Sequence, residues 1–280
     1  MDTLKTIICT SNQNGHMKDI LYAHIYAIND IFNICLNCLF MDITNERTGD
    51  LYYYARKGCI WHISYIHKSG VRLNKKVCEI AAANGHLDCL VYLYENKFPW
   101  GKRAMRKAAR NGHLDCLKFL HKNYCPQDVQ ACTRAAKGHL NCLKYLHKHG
   151  YSWGKKAYTN AANGHLDCLK YLSRKNCPRD ELKSASVAAR GHLECLKYFV
   201  DIENEFEGQI CAIAAEGHLE CLKFLHTNYF DWDEEVCTNA ACGYLDCLKY
   251  ARENGCPWDK EACIYTAKRY PDCLEYIKKN

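Results

Sequence analysis

Cysteine and histidine are the residues of this 280-residue chain whose types and spacing could do chemistry, with 21 Cys and 14 His. Such side chains can hold zinc, form disulfides or act as nucleophile and base. A structural zinc site needs paired Cys-x-x-Cys knuckles or one such pair with a distant histidine pair, and the single Cys-x-x-Cys here joins Cys35 and Cys38. No Ser/His/Asp or Cys/His set stands apart, and no glycine-rich phosphate loop is present in the sequence. We therefore expect no bound metal, no cofactor and no enzymatic activity.

Most of the cysteines instead follow a fixed period. One set recurs in a Leu-x-Cys-Leu motif, as Cys89, Cys116, Cys142, Cys168, Cys195, Cys221 and Cys247, and in the degenerate copy Pro-Asp-Cys-Leu as Cys273. A second set recurs upstream of the motif, as Cys78, Cys132, Cys211, Cys237 and Cys263. Free cysteine behaves as a small and well-buried apolar residue. The spacing therefore predicts that both sets pack in a core.

The whole sequence from residue 46 onward is repetitive. The segment NGHLDCLKFL at 111–120 returns as GHLNCLKYL at 138–146, NGHLDCLKYL at 163–172 and GHLECLKFL at 217–225. Its glycine stands at positions 58, 85, 112, 138, 164, 191, 217 and 243, always 26 or 27 residues apart. About nine repeats cover residues 46–280, and a sustained period of this kind is typical of stacked structural repeats.

Each repeat is predicted to form two helices. The first ends in an Ala-Ala pair followed by a glycine such as Gly138, which favours a left-handed C-cap. The second begins at a histidine, whose recurrence at a helix start predicts a turn and capping role, and Leu140, Leu143 and Leu146 then form an apolar stripe. One helix pair cannot bury its own apolar face, but stacked pairs bury a continuous one. The expected fold is all-α, an elongated helical-repeat solenoid.

The string AAxxGHLxCLKYL resembles the ankyrin repeat, whose helices carry the similar pattern AAxxGHxxxVxxLL. The Thr-Pro-Leu-His opening is missing, and the period is shorter than the usual repeat of about 33 residues. The shortfall lies in the inter-repeat loop, so we expect hairpin fingers that are shortened or absent. The strings GHLDCLKYL and CPWD further resemble short, Cys-rich ankyrin-like proteins of giant DNA viruses of amoebae. The resemblance implies a non-catalytic binding scaffold.

Residues 1–45 do not fit the period. We interpret them as an N-terminal helical cap or as degenerate repeats, and the alternative is a recruiting element of a ubiquitin-ligase substrate adaptor. The sequence start lacks a signal-peptide pattern, and polar residues interrupt the most apolar segment, 20–41. These features predict a soluble cytoplasmic protein, in the host cytoplasm if it is viral, with no membrane contact. We expect a monomer.

Charge is segregated along the sequence. Residues 72–200 hold 24 Lys and Arg against 9 Asp and Glu, whereas residues 201–280 hold 8 against 16. The outer side of the first helices, which lines the concave face in ankyrin proteins, changes sign near residue 200. The spacing predicts a basic, partner-binding stripe made of Lys76, Arg103, Arg106, Lys107, Arg110, Arg134, Lys137, Lys156, Lys183 and Arg190.

We expect the stripe to bind a protein partner with an acidic or extended segment. The alternative is nucleic acid, which a row of phosphate contacts would favour. Against it, the acidic C-terminal third would repel a polyanion, and aromatic residues do not interleave regularly with the basic ones. Four turn residues, Trp100, Trp153, Trp232 and Trp258, either pack between repeats or form exposed binding anchors.

Overall fold

Two kinds of helix alternate along the chain, the first ending in the Ala-Ala pair and the second carrying the leucine stripe. The computed structural model describes residues 47–72, 74–202 and 209–280. Within these ranges the chain forms nine consecutive helix pairs and no β-strand. The expected all-α helical-repeat solenoid without hairpin fingers is therefore confirmed. The predicted cap or recruiting element at 1–45, with Cys35 and Cys38, lies outside the described residues.

The nine pairs are called repeats 1 to 9, and each has a first and a second helix. The first helices are α1 (Arg47–Lys57), α3 (Lys75–Ala83), α5 (Lys102–Arg110), α7 (Ala131–Ala135), α9 (Lys155–Ala162), α11 (Glu181–Ala189), α13 (Gln209–Ala214), α15 (Glu234–Ala240) and α17 (Lys260–Thr266). The second helices are α2 (Ile60–Lys68), α4 (Leu87–Glu95), α6 (Leu114–Lys122), α8 (Leu140–Lys148), α10 (Leu166–Arg174), α12 (Leu193–Ile202), α14 (Leu219–Thr227), α16 (Leu245–Glu253) and α18 (Pro271–Lys279). A 3₁₀ turn, Ala267–Arg269, follows α17.

The two helix layers pack at different distances. First helices of successive repeats contact one another more extensively than second helices do. The Ala-Ala pairs, such as Ala108 and Ala109 in α5, are fully buried and let the first helices approach closely. Closer packing on one side curves a solenoid toward that side. The first helices therefore line the inner, concave face of the array.

The recurring Cys-Leu motif of the second helices contributes to the core. Leu143 and Leu146 of α8 are completely buried, and Cys142 is 1% exposed. The other members of both predicted cysteine sets are buried as well. The core-packing prediction for these cysteines is confirmed. All cysteines in the described ranges carry free thiols.

A histidine precedes the second helices of repeats 2 to 7, and its ring contacts the preceding repeat. The structure gives no side-chain capping hydrogen bond to five of them, His86, His113, His139, His165 and His218. Instead, a Cβ placed on Gly112 would lie 2.4 Å from Nδ1 of His139, so the ring covers that glycine. Nε2 of His113 likewise donates a hydrogen bond to the carbonyl of Ala83 at 3.0 Å. The predicted place in the turn before the helix is confirmed, but side-chain capping is wrong for these five residues, whose rings contact the preceding repeat instead.

The turn tryptophans pack against their own repeats. Trp153 and Trp232 are half-buried, and their rings lie 3.9 Å and 4.1 Å from the rings of His147 and His226. The His226 ring also hydrogen-bonds the Tyr250 hydroxyl of the next repeat at 2.9 Å. Aromatic pairs in this arrangement stabilise packing. The structure therefore favours packing over exposed binding anchors at these positions.

Candidate binding surface

Packing between the helices buries the apolar side of each first helix and leaves its polar side exposed to solvent. In α5, Ala104, Met105 and the Ala-Ala pair are buried, whereas Arg103 and Arg110 are exposed. Residues seven apart lie two turns apart on nearly the same face of a helix. The first-helix layer therefore presents side chains from each repeat to the concave face.

Six of the ten predicted stripe residues are exposed and form neither an ion pair nor a cation–π contact within the described ranges. They are Arg103, Arg110, Lys137, Lys156, Lys183 and Arg190. They come from repeats 3 to 6 and lie at corresponding positions of the first helices or directly after them. Uncompensated charge of one sign along a concave surface attracts ligands of the opposite charge.

Two further stripe residues hold neighbouring repeats together. Lys107 Nζ donates to Oε2 of Glu79 at 3.2 Å, and the Glu79 side chain is only 6% exposed. Arg106 Nε lies 3.5 Å from Oδ2 of Asp128, whose side chain is 3% exposed. Buried carboxylates require such partners, since an unpaired buried charge is costly. Lys107 and Arg106 therefore pair with the preceding and the following repeat, respectively.

The remaining two stripe residues have uncharged partners. Lys76 Nζ lies 4.5 Å from the centre of the Tyr52 ring, which gives a cation–π contact. Arg134 is half-buried, and its Nη2 donates to Oε1 of Gln130 at 3.4 Å. Neither contact neutralises the cation.

The corresponding positions of repeats 7 to 9 carry one basic residue, Lys268, which takes the place of Arg110 in repeat 9. Gln209, Glu235 and Glu261 take the place of Arg103, and all three are exposed. Glu216 follows the Ala-Ala pair of repeat 7 where Arg110 follows that of repeat 3. The concave layer is thus basic over repeats 2 to 6, and over repeats 7 to 9 it is acidic or neutral except at Lys268.

Comparison with known proteins agrees with this architecture. Residues 78–121 match the family model for ankyrin repeats (many copies). That segment begins within α3 and ends within α6. Among solved structures, the human ASB11 ankyrin repeat domain is similar, with 20% identity and a TM-score of 0.46. The match covers 54% of this chain and 82% of that one. No curated protein matches the sequence.

Most thiols of the described helices are buried in the core of the repeats. Burial raises the pKa of the Cys78 and Cys116 thiols to about 12 and about 11, respectively. Cys237 differs, because a hydrogen bond with the Cys256 side chain lowers its pKa. Metal binding and nucleophilic attack both use the thiolate, which burial disfavours. Across the described ranges, no three His, Cys, Asp or Glu side chains are grouped as a metal would require.

None of the described helices is both long and apolar enough to cross a bilayer. The shortest first helix, α7, spans five residues, and the second helices span nine or ten.

Asp128 and Gln130 are partners of the stripe arginines that the sequence analysis did not identify. Asp128 Oδ1 accepts a hydrogen bond from the backbone N–H of Gln130 at 2.8 Å, the arrangement of a helix N-cap. Asp180, Asp233 and Asp259 take the same part in repeats 6, 8 and 9. The Asp that precedes the first helices of repeats 4, 6, 8 and 9 is a sequence signal that identifies the cap. Its ion pair with Arg106 could not be read from one repeat, because the two residues belong to different repeats.

Proposed function

We propose that this protein is a non-catalytic interaction scaffold that binds a protein partner on its concave face through the basic stripe. Ankyrin repeats generally mediate protein–protein interaction and are typically non-catalytic. The observation that carries the proposal is the set of six exposed cations without ion pairs on successive first helices. A partner with an acidic or extended segment would neutralise them.

The test is affinity capture of the tagged full chain from its native cells, with and without nuclease. The stripe variant carries Arg103→Glu, Arg110→Glu, Lys137→Glu and Lys156→Glu. Since these four side chains form no ion pair in the described structure, their reversal removes surface charge without breaking a bridge. A protein that resists nuclease and is lost from the variant supports the scaffold function.

A matched control reverses four exposed cations that lie outside the first-helix layer. The control variant carries Lys122→Glu, Lys148→Glu, Arg174→Glu and Lys175→Glu, which changes the net charge by the same amount. Equal loss of the partner from both variants would mean that net charge alone drives capture, and would contradict a stripe-specific site. Recovery that vanishes with nuclease would assign the stripe to nucleic acid instead.

The remaining expectations stay predictions. They are a cytoplasmic location, in the host if the chain is viral, the likeness to giant-virus ankyrin proteins, and a monomeric state. The ubiquitin-ligase alternative depends on residues 1–45, and deleting them tests it: ligase association would be lost while partner capture remained.

A further inference from the structure

Two guanidinium groups from neighbouring repeats converge on one amide oxygen between α5 and α7. Arg106 Nη1 donates to Oε1 of Gln130 at 3.3 Å, and Arg134 Nη2 donates to the same oxygen at 3.4 Å. The two nitrogens are therefore separated by no more than the sum of these distances, about 6.7 Å. No other acceptor in the described ranges takes the terminal nitrogens of either arginine.

The buried side chain of Asp128 orients the Arg106 side chain. Its Nε pairs with the buried carboxylate of Asp128, and its side chain remains 28% exposed. Asp128 is itself fixed by the backbone N–H of Gln130. An arginine that is oriented by a buried partner loses little conformational entropy when it binds a ligand.

Charge is least compensated at this junction. Arg103 and Arg110 on α5, and Lys137 just after α7, add three exposed cations without ion pairs. Lys107 is neutralised by Glu79, which leaves Asp128 as the carboxylate that offsets the two converging arginines. An anion that bridges Arg106 and Arg134 would therefore enter a site of net positive charge.

We propose that Arg106 and Arg134 form a clamp for the phosphate group of a phosphorylated side chain on the partner. This proposal rests on the protein-binding function proposed above. Charge-assisted N–H···O bonds are about 2.7–2.9 Å long, so two donor nitrogens that hold one oxyanion lie about 5–8 Å apart. The upper limit of about 6.7 Å set by the two hydrogen bonds is compatible with that range. A phosphate monoester carries about −1.5 to −2 charges and three acceptor oxygens. A carboxylate carries one charge and two acceptor oxygens, so two guanidinium groups gain less from it than from a phosphate.

The equivalent junction of repeats 7 and 8 shows that the clamp is not a general feature of the array. There Asn239 Nδ2 donates to the carbonyl of Ala212 at 3.1 Å, with no cation at either position. The clamp thus belongs to repeats 3 and 4, within the basic part of the concave layer.

The test uses the full chain and a fluorescent synthetic peptide with a central phosphoserine, measured by anisotropy. Matched probes carry serine or glutamate at that position, and a thymidine oligonucleotide supplies phosphodiesters. We expect the phosphopeptide to bind at least about tenfold more tightly than the serine and glutamate peptides, and more tightly than the oligonucleotide. Equal affinity for the three peptides, or tighter binding of the oligonucleotide, would overturn the phosphate assignment.

Two variants locate the site. Arg134→Gln removes one arm of the clamp without exposing a carboxylate, and Arg106→Lys keeps a cation beside Asp128 but loses the planar fork. Each should weaken phosphopeptide binding about tenfold, whereas Lys148→Gln, which removes an exposed cation outside the first-helix layer, should change it less than about twofold. Weakening by Lys148→Gln as large as that by the two clamp variants would mean that general charge and not the clamp holds the phosphate, and would overturn the proposal.

The two proposals fail separately. If the phosphopeptide binds through the clamp but capture yields no stripe-dependent protein, the clamp holds and the scaffold function fails. If capture yields a stripe-dependent partner whose binding survives phosphatase treatment and Arg134→Gln, the scaffold function holds and the clamp is overturned.

Discussion

Two sets of contacts join neighbouring repeats of this chain, and they differ in how often they recur. An aromatic ring covers the preceding glycine at every junction from Gly58 to Gly243, and the ring is histidine six times and tyrosine twice. By contrast, the ion pair of Lys107 joins repeats 2 and 3, and that of Arg106 joins repeats 3 and 4. Since a recurring contact must serve every repeat, it supports the array as a whole. A contact made in one place supports what is particular to that place, here the basic surface.

The largest expected effect concerns the recurring contact. At Gly112, φ is +80° and an added Cβ would lie 2.4 Å from the His139 ring, so Gly112→Ala combines left-handed strain with a clash. We expect it to lower the free energy of unfolding by about 2–4 kcal/mol. Urea unfolding followed by circular dichroism measures the loss.

Gly150 provides the control for this substitution. Its φ of +78° is nearly the same, but no heavy atom lies within 4 Å of an added Cβ. Gly150→Ala therefore carries the backbone strain alone, about 1 kcal/mol. Equal losses for the two variants would show that the His139 contact contributes nothing and that the ring is merely adjacent.

A smaller loss of stability is expected when the ion pair between Lys107 and Glu79 is removed. Lys107→Asn leaves the Glu79 carboxylate buried and without its cation, which should cost about 1–2 kcal/mol because Lys107 remains 38% exposed. The exposed and unpaired Lys137, changed to Asn, should alter stability by less than about 0.5 kcal/mol. Urea midpoints of the two variants make the comparison.

Another junction of the chain indicates a second substitution that should restore the stability lost in Lys107→Asn. Where repeat 3 has Lys107 facing Glu79, repeat 5 has Asn160, whose Nδ2 donates to the carbonyl of Thr133 at 2.9 Å. The double variant Lys107→Asn, Glu79→Thr copies that junction and should recover most of the loss. Failure to recover would mean that the two junctions differ in backbone geometry and not only in side chains.

The same contrast explains how far the sequence could predict the molecule. The helix pairs, their count and the buried cysteines follow from residues that recur every 26 or 27 positions, such as Leu143 and Cys142. The role of the recurring histidine was misassigned, because a single repeat shows it at a helix start and not over the glycine of its neighbour. The pairing of Arg106 with Asp128 was missed for the same reason. Contacts between repeats depend on stacking, which one sequence period does not contain.

The smallest expected effect is a pH dependence that the recurring ring introduces. Burial lowers the pKa of His165, and the nearby His139, His192 and Lys137 lower it further. The unfolded chain then takes up a proton near the ordinary value of 6.5, while the folded chain takes it up at lower pH. Below about pH 6.5 the unfolded state therefore binds more protons, and the free energy of unfolding falls with falling pH.

The two kinds of ring allow a reciprocal test of that dependence. Tyr244 covers Gly217 as His165 covers Gly138, so His165→Tyr keeps a ring at the junction but removes a group that titrates in this range. We expect this variant to show a shallower fall in urea midpoint between about pH 7.5 and about pH 5.5, and Tyr244→His to show a steeper one. If both variants followed the parent curve, the acid sensitivity would have to come from histidines elsewhere, such as the His121 and His147 side chains, whose pKa values burial also lowers. The recurring contact would then stabilise the array by packing alone, since tyrosine and histidine would be interchangeable at every pH.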